Sequence, residues 1–246
     1  MDVFETVLDA KWHVLGADIL YREIVGNVFG LASAVGGMRR KLWAWPIGIV
    51  GNVLLFTVFL GGVFNTPQDH DLYGQAGRQV MFAVVSVYGW WRWNQSKRAA
   101  LTANDAEGAP VVPPVRPHWA GWSGWAQIVV IGVAGTALFS WVFGQIGTYY
   151  GNYTSTADAW IFTGSFLATY GMARGWNEFW LIWIGVDAVG VPLLVDAHLY
   201  PSAVLYGVYA VLVIVGFVVW LRTQRRDEAA DAVRDLETTK ALTGNR

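Results

Sequence analysis

The chain has no cysteine. That excludes a disulfide framework, a thiolate nucleophile and a cysteine-ligated metal, and it leaves no redox signature of compartment. Its four histidines, His13, His70, His118 and His198, fall outside or at the margins of the apolar runs and never at ligand spacing, so we expect no metal. Charge is scarce as well: 14% of residues are charged, 17 basic against 18 acidic, which offers no field for nucleic acid. The phosphate-cradling pattern G-x-x-x-x-G-K-S/T is missing, and no long polar segment could house a nucleotide. Any work done on a solute would then draw on a gradient. The opening MDVFETVLDAKWHVLGAD is acidic and lacks the basic start of a cleaved signal peptide. With Phe4, Leu8, Trp12 and Leu15 along one side, residues 1–18 are expected to form a helix on the membrane surface, facing outward.

What the chain does have is apolar surface. Apolar residues make up 54% of its 246 positions and tryptophan occurs 15 times, a composition that places it among membrane proteins. Seven apolar runs, at 19–37, 43–62, 72–93, 122–145, 157–175, 177–196 and 200–221, each approach the ~20 residues that a spanning helix needs. Pro46 and Pro201 stand in first turns, where a missing N–H matters least, whereas Pro192 is interior to its run.

Two of these runs are copies. A shift of 135 residues lays 31–52 over 166–187 without a gap, matching Gly36 with Gly171, Arg39 with Arg174, Trp45 with Trp180 and Asn52 with Asp187. A shift of 127 pairs the third run with the seventh, including Tyr73 with Tyr200 and Trp93 with Trp220, the difference being absorbed around NTPQDHD at 65–71. The expected fold is therefore an all-α integral membrane protein with seven transmembrane helices in a 3+1+3 arrangement. Its first three-helix repeat spans 19–95, a cytoplasmic linker 96–121, a connecting transmembrane helix 122–145, the second repeat 157–221 and a charged cytoplasmic tail 222–246. One linking helix leaves the two triplets parallel, related by an axis along the membrane normal. Lysine and arginine set the sidedness: Arg39, Arg40, Lys41, Arg92, Lys97, Arg98, Arg116, Arg174 and the six of the tail fall on one side, and only Lys11 and Arg22 on the other. The N-terminus is then outside and the C-terminus cytoplasmic.

Polar residues within the runs are few. Trp176, Trp180, Trp183 and Asp187 recur at helical spacing on one face, and an aspartate at hydrocarbon depth must face protein or water. Asn52 holds the equivalent place in the first repeat. Asn52, Gln75, Gln79, Trp180, Trp183, Asp187 and Tyr206 are the substrate-binding candidates, the indoles offering stacking area and the amides and carboxylate bonding hydroxyls. Glu23, Asn27 and Arg78 are structural or gating candidates, with Arg78 a counter-ion for Glu23 or Asp187, though buried amides often serve only as interhelical glue. Tryptophans 43, 119, 122, 125 and 220 read as interfacial anchors. An intramembrane enzyme using Asp187 with Glu23 or a histidine is disfavoured by the absence of a close carboxylate pair.

With YGWWRWN at 88–94, the duplicated seven-helix pattern and the stretch from Trp180 to Asp187, the chain resembles the PnuC family of bacterial vitamin transporters over about residues 20–221. The resemblance implies a SWEET-like fold, facilitated uptake of an unphosphorylated vitamin across the inner (cytoplasmic) membrane, trapping by a cytoplasmic kinase, and a homotrimer. The runs REIVGNVFGLASAVGGMRRKLWAWPIGIVGN and DLYGQAGRQVMF are most similar to the flavin-transporting branch, which makes riboflavin the expected substrate and nicotinamide riboside the alternative. No cofactor and no catalytic residue are implied.

Overall fold

A computed structural model describes residues 10–14, 17–64, 73–104, 115–146, 155–196 and 200–243. Among these, helices follow the apolar runs closely: α1 (Tyr21–Met38), α2 (Ala44–Phe59), a single turn α3 (Gly61–Phe64), α4 (Tyr73–Asn104), α5 (Trp122–Ile146), α6 (Ser155–Arg174), α7 (Glu178–Asp196) and α8 (Tyr200–Thr243). By length and apolar composition alone, α5 over Trp122–Gln145 and α8 over Tyr206–Glu237 are long enough to cross a membrane, and α2 is a shorter apolar helix.

Two segments depart from expectation. Where a surface helix was expected over 1–18, Lys11–Val14 (β1) and Ala17–Leu20 (β2) pair as antiparallel strands, Lys11 opposite Leu20; residues 1–9, with Phe4 and Leu8, lie outside the described residues. A stretch this short is marginal as an isolated helix. The expected linker at 96–121 begins later, because NQSKRAALTAN contains no glycine or proline and α4 continues through it to Asn104. Helix α8 does not stop at the end of its apolar run but continues through the charged tail to Thr243.

The helices pack as two clusters. In one, α2 touches both α1 and α4; in the other, α7 touches both α6 and α8. Between the clusters α4 meets α6 and α1 meets α8, while α5 packs on α6. The same local geometry appears in each cluster. Helix α1 ends with the Lys41 N–H donating to the Gly36 carbonyl and Arg40 in the left-handed region (φ 54°); α6 ends with the Trp176 N–H donating to the Gly171 carbonyl and Gly175 at φ 80°. An indole is then wedged onto a glycine of the third helix: Trp45 on Gly89, Trp180 on Gly216. A Cβ at Gly89 would lie 2.4 Å from the Trp45 ring, and one at Gly216 2.2 Å from the Trp180 ring, so only glycine admits these contacts. Each wedge meets a second tryptophan edge-on, Trp45 with Trp93 at 5.2 Å and 89°, Trp180 with Trp220 at 6.0 Å and 78°. Trp220, expected at the membrane surface, is instead fully buried and donates its indole N–H to the Met38 carbonyl at 3.0 Å. Its sequence position at the end of an apolar run conceals this, because α8 runs on past it as helix. By contrast Trp43, Trp119, Trp122 and Trp125 are exposed.

Candidate functional site

Helix α7 is fixed at its start. Gly175 closes α6, the linker crosses beside it with the His118 N–H donating to the Gly175 carbonyl and the Asn177 N–H donating to the His118 carbonyl, and the buried Glu178 carboxylate accepts the Ala120 N–H at 2.9 and 3.0 Å. A carboxylate in a helix's first turn also suits the helix dipole. Asn177, buried as well, bonds Gln224 of α8. The anchoring of Asn177 and Glu178 escaped sequence reasoning. Their only signal was two polar residues inside an otherwise apolar WNEFW.

From that anchor α7 presents three of the expected site residues in different directions. Trp180 points at α8, its ring packed in the core against Phe179 (4.3 Å), Trp220 and Gly216. Trp183 is half-buried and faces Phe82 of α4, ring centres 6.2 Å apart and planes 32° apart. Asp187 falls between those two directions on a 3.6-residue wheel, toward the gap between α4 and α8. It is 6% exposed, and its Oδ2 is buried without a hydrogen-bond partner. Buried carboxylates are ordinarily satisfied, which singles this one out among the described residues.

Contacts across the gap place other candidates at the same level. Tyr206 of α8 lies against Gly190, one turn beyond Asp187, where a Cβ would come within 2.8 Å of its ring. The Tyr206 hydroxyl accepts a hydrogen bond from the Arg78 guanidinium of α4 at 3.0 Å. Among the described residues Arg78 thus forms no ion pair with Glu23 or Asp187; it bonds the Tyr206 phenol, and its charge is felt by Asp158 of α6. Gln79, adjacent to Arg78 and one turn from Phe82, is buried; Gln75, a turn further back, has a buried Oε1 without a partner. Phe82 with Trp183 and Arg78 with Tyr206 therefore join α4 to α7 and α8, and Asp187 stands on the face of α7 between Trp180 and Trp183.

Three candidates stand apart. Asn27 donates to the Glu23 backbone carbonyl at 2.9 Å, a bond within its own helix, and the Glu23 side chain makes no ion pair among the described residues. Asn52 is half-buried on α2, one helix away from the α4–α7 contact. Phe82 was missed in the sequence because a phenylalanine inside an apolar run carries no distinguishing signal. A second aromatic stack, Tyr88 with Tyr170 at 6.0 Å and 19°, joins α4 to α6, and the Tyr170 hydroxyl donates to Gln127 of α5 at 3.2 Å. Among the described residues no group of histidine and carboxylate side chains could hold a metal.

A helical fold with apolar helices long enough to cross a membrane is the class to which membrane transporters belong. Residues 20–222 match the family described as nicotinamide mononucleotide transporter. The chain is 32% identical over 209 residues to the riboflavin/roseoflavin transporter RibM of Streptomyces davaonensis, covering 85% of this chain and 88% of that protein. The crystal structure of the vitamin B3 transporter PnuC shares the fold, with a TM-score of 0.59 at 20% identity, over 84% of this chain and 83% of that one. This chain belongs to the nicotinamide mononucleotide transporter family, the PnuC family, and is a transporter rather than an enzyme.

Proposed function

We propose that the protein is a facilitator for riboflavin in the cytoplasmic membrane, with the neighbourhood of Trp183, Asp187, Gln79 and Tyr206 as its substrate site. The observation that carries this is the unpartnered Asp187 oxygen, buried one turn from the Trp183–Phe82 pair. An aromatic face beside an unsatisfied carboxylate suits a ligand that is flat and apolar at one end and rich in hydroxyls at the other. The isoalloxazine stacks on Trp183 and Phe82, and the ribityl hydroxyls donate to Asp187 and bond Gln79 and Gln75. Similarity to a riboflavin/roseoflavin transporter supports flavin as the cargo. Asn52 serves from α2 at the equivalent depth, Arg78 and Tyr206 form a gating contact between the clusters, and Trp180 shapes the site from the core.

The architecture proposed around this site is seven spans, α1, α2, α4, α5, α6, α7 and α8, with α1–α2–α4 and α6–α7–α8 as parallel repeats and α5 between them. The matched helix ends and the matched tryptophan–glycine wedges support that duplication. The basic connections meet at one end, where Arg40 bonds the Val115 carbonyl and Arg116 bonds Asp231 of α8, and this supports a cytoplasmic C-terminus with the N-terminus outside. Transport proceeds by rocking one cluster against the other, and phosphorylation by a cytoplasmic kinase retains the vitamin. The unburied apolar surface of α5 is compatible with a homotrimer.

Purified protein titrated with riboflavin, nicotinamide riboside and thiamine, read by thermal shift and tryptophan quenching, tests the substrate. Riboflavin alone should stabilise and quench, and Trp183→Ala should abolish saturable riboflavin uptake while leaving the protein folded. Stabilisation by nicotinamide riboside instead would retain the site and replace the substrate.

A further inference from the structure

A cavity of about 310 Å³ opens at the end of α1, away from the site just described, lined by Arg39, Arg40, Lys41, Leu42, Trp93, Lys97 and Val115. Four of its seven lining residues are cationic. One is engaged: Arg40 donates to the Val115 carbonyl at 2.9 Å and lies 3.7 Å from Asp227. Burial lowers the Arg40 pKa from its ordinary value and Asp227 opposes this, but a guanidinium remains charged at any physiological pH. Among the described residues, Arg39, Lys41 and Lys97 form no ion pair, so three positive charges face the cavity without compensation.

A second observation concerns the floor. Trp93 is 2% exposed and packs edge-on against Trp45 at 5.2 Å, which gives the cavity a rigid aromatic base beneath its cationic rim.

We propose that this cavity binds a phosphate group, with Arg39, Lys41 and Lys97 supplying charge. A phosphate oxyanion accepts several charge-assisted hydrogen bonds at once, which suits three cations converging on one cavity. The cavity stands at the end of a membrane-embedded helix next to the exposed Trp43, within reach of a lipid headgroup, and it is also open to dissolved phosphate.

The test uses the full chain, delipidated in uncharged detergent, with short-chain phosphatidylglycerol, short-chain phosphatidylcholine and inorganic phosphate as probes. Apparent Tm and bound adducts by native mass spectrometry are the readouts. Phosphatidylglycerol should raise the wild-type Tm by several degrees and leave one adduct per chain, and Arg39→Gln/Lys41→Gln/Lys97→Gln should weaken that response about tenfold. Inorganic phosphate acting as strongly as the lipid, and lost in the same variant, would assign the site to soluble phosphate. Phosphatidylcholine, whose phosphodiester sits beside a choline cation, should act more weakly than phosphatidylglycerol. No response to either phosphatidylglycerol or inorganic phosphate, or a triple variant that responds as wild type does, overturns the proposal.

Discussion

The α1–α2–α4 and α6–α7–α8 clusters share their packing and differ in their chemistry. Each ends its first helix with a left-handed residue, Arg40 or Gly175, and each locks its second helix to its third by an indole on a glycine. Yet Gly48 stands in α2 where α7 has Trp183, and Asn52 where α7 has Asp187. Gly48 packs against Ser33, with no room for a side chain, whereas Trp183 reaches Phe82 on α4. The difference teaches that close-packed wedges tolerate no variation, because a Cβ there collides with a ring, while positions facing the gap between helices are free to diverge into a site.

Breaking the wedges is the strongest test of their likeness. Trp45→Ala and Trp180→Ala should each cost ~3–5 kcal/mol, read as a lowered apparent Tm in detergent, and a large inequality would mean that only one cluster depends on its wedge. Next comes the chemical asymmetry: Asp187→Asn should slow riboflavin uptake by about ten- to a hundredfold, the worth of a hydrogen bond to a charged group, and Asn52→Ala by much less. Equal losses in initial-rate uptake would erase the distinction between α7 and α2. Overpacking gives a smaller effect, as Gly89→Ala and Gly216→Ala should each destabilise by ~1–3 kcal/mol, visible as parallel falls in Tm. At the helix ends Gly175→Ala, strained at φ 80°, should cost about 1 kcal/mol, whereas Arg40 already tolerates that conformation. Smallest of all, Arg116→Ala breaks a half-exposed pair with Asp231 and should change stability by under about 1 kcal/mol, less still in high salt.

Much of the fold was legible because hydrocarbon length and helix length are tied together, so apolar runs such as 122–145 and 177–196 fall within a residue or two of α5 and α7. Runs lost their predictive value where polarity changed without a helix breaker, as at 94–104 and 222–243, since nothing in those residues stops a helix that is already under way. The site was partly legible. Asp187, Gln79 and Trp183 were conspicuous as polar or aromatic groups within apolar helices, whereas Phe82 was hidden by its ordinariness and the packing of Trp180 against α8 could not be read along the chain.

The sequence by itself determined the helical membrane class, the helix positions and the match between residues 31–52 and 166–187, because each of these follows from local composition, period and length. Tertiary structure alone decided that Trp220 is buried rather than interfacial, that Arg78 bonds Tyr206 rather than a carboxylate, that Trp180 and Trp183 face different helices, and that Asp187 keeps an oxygen unpaired. Each of those depends on which neighbouring helix a side chain meets, and helix-to-helix direction is set by packing of residues far apart along the chain, which no short window contains.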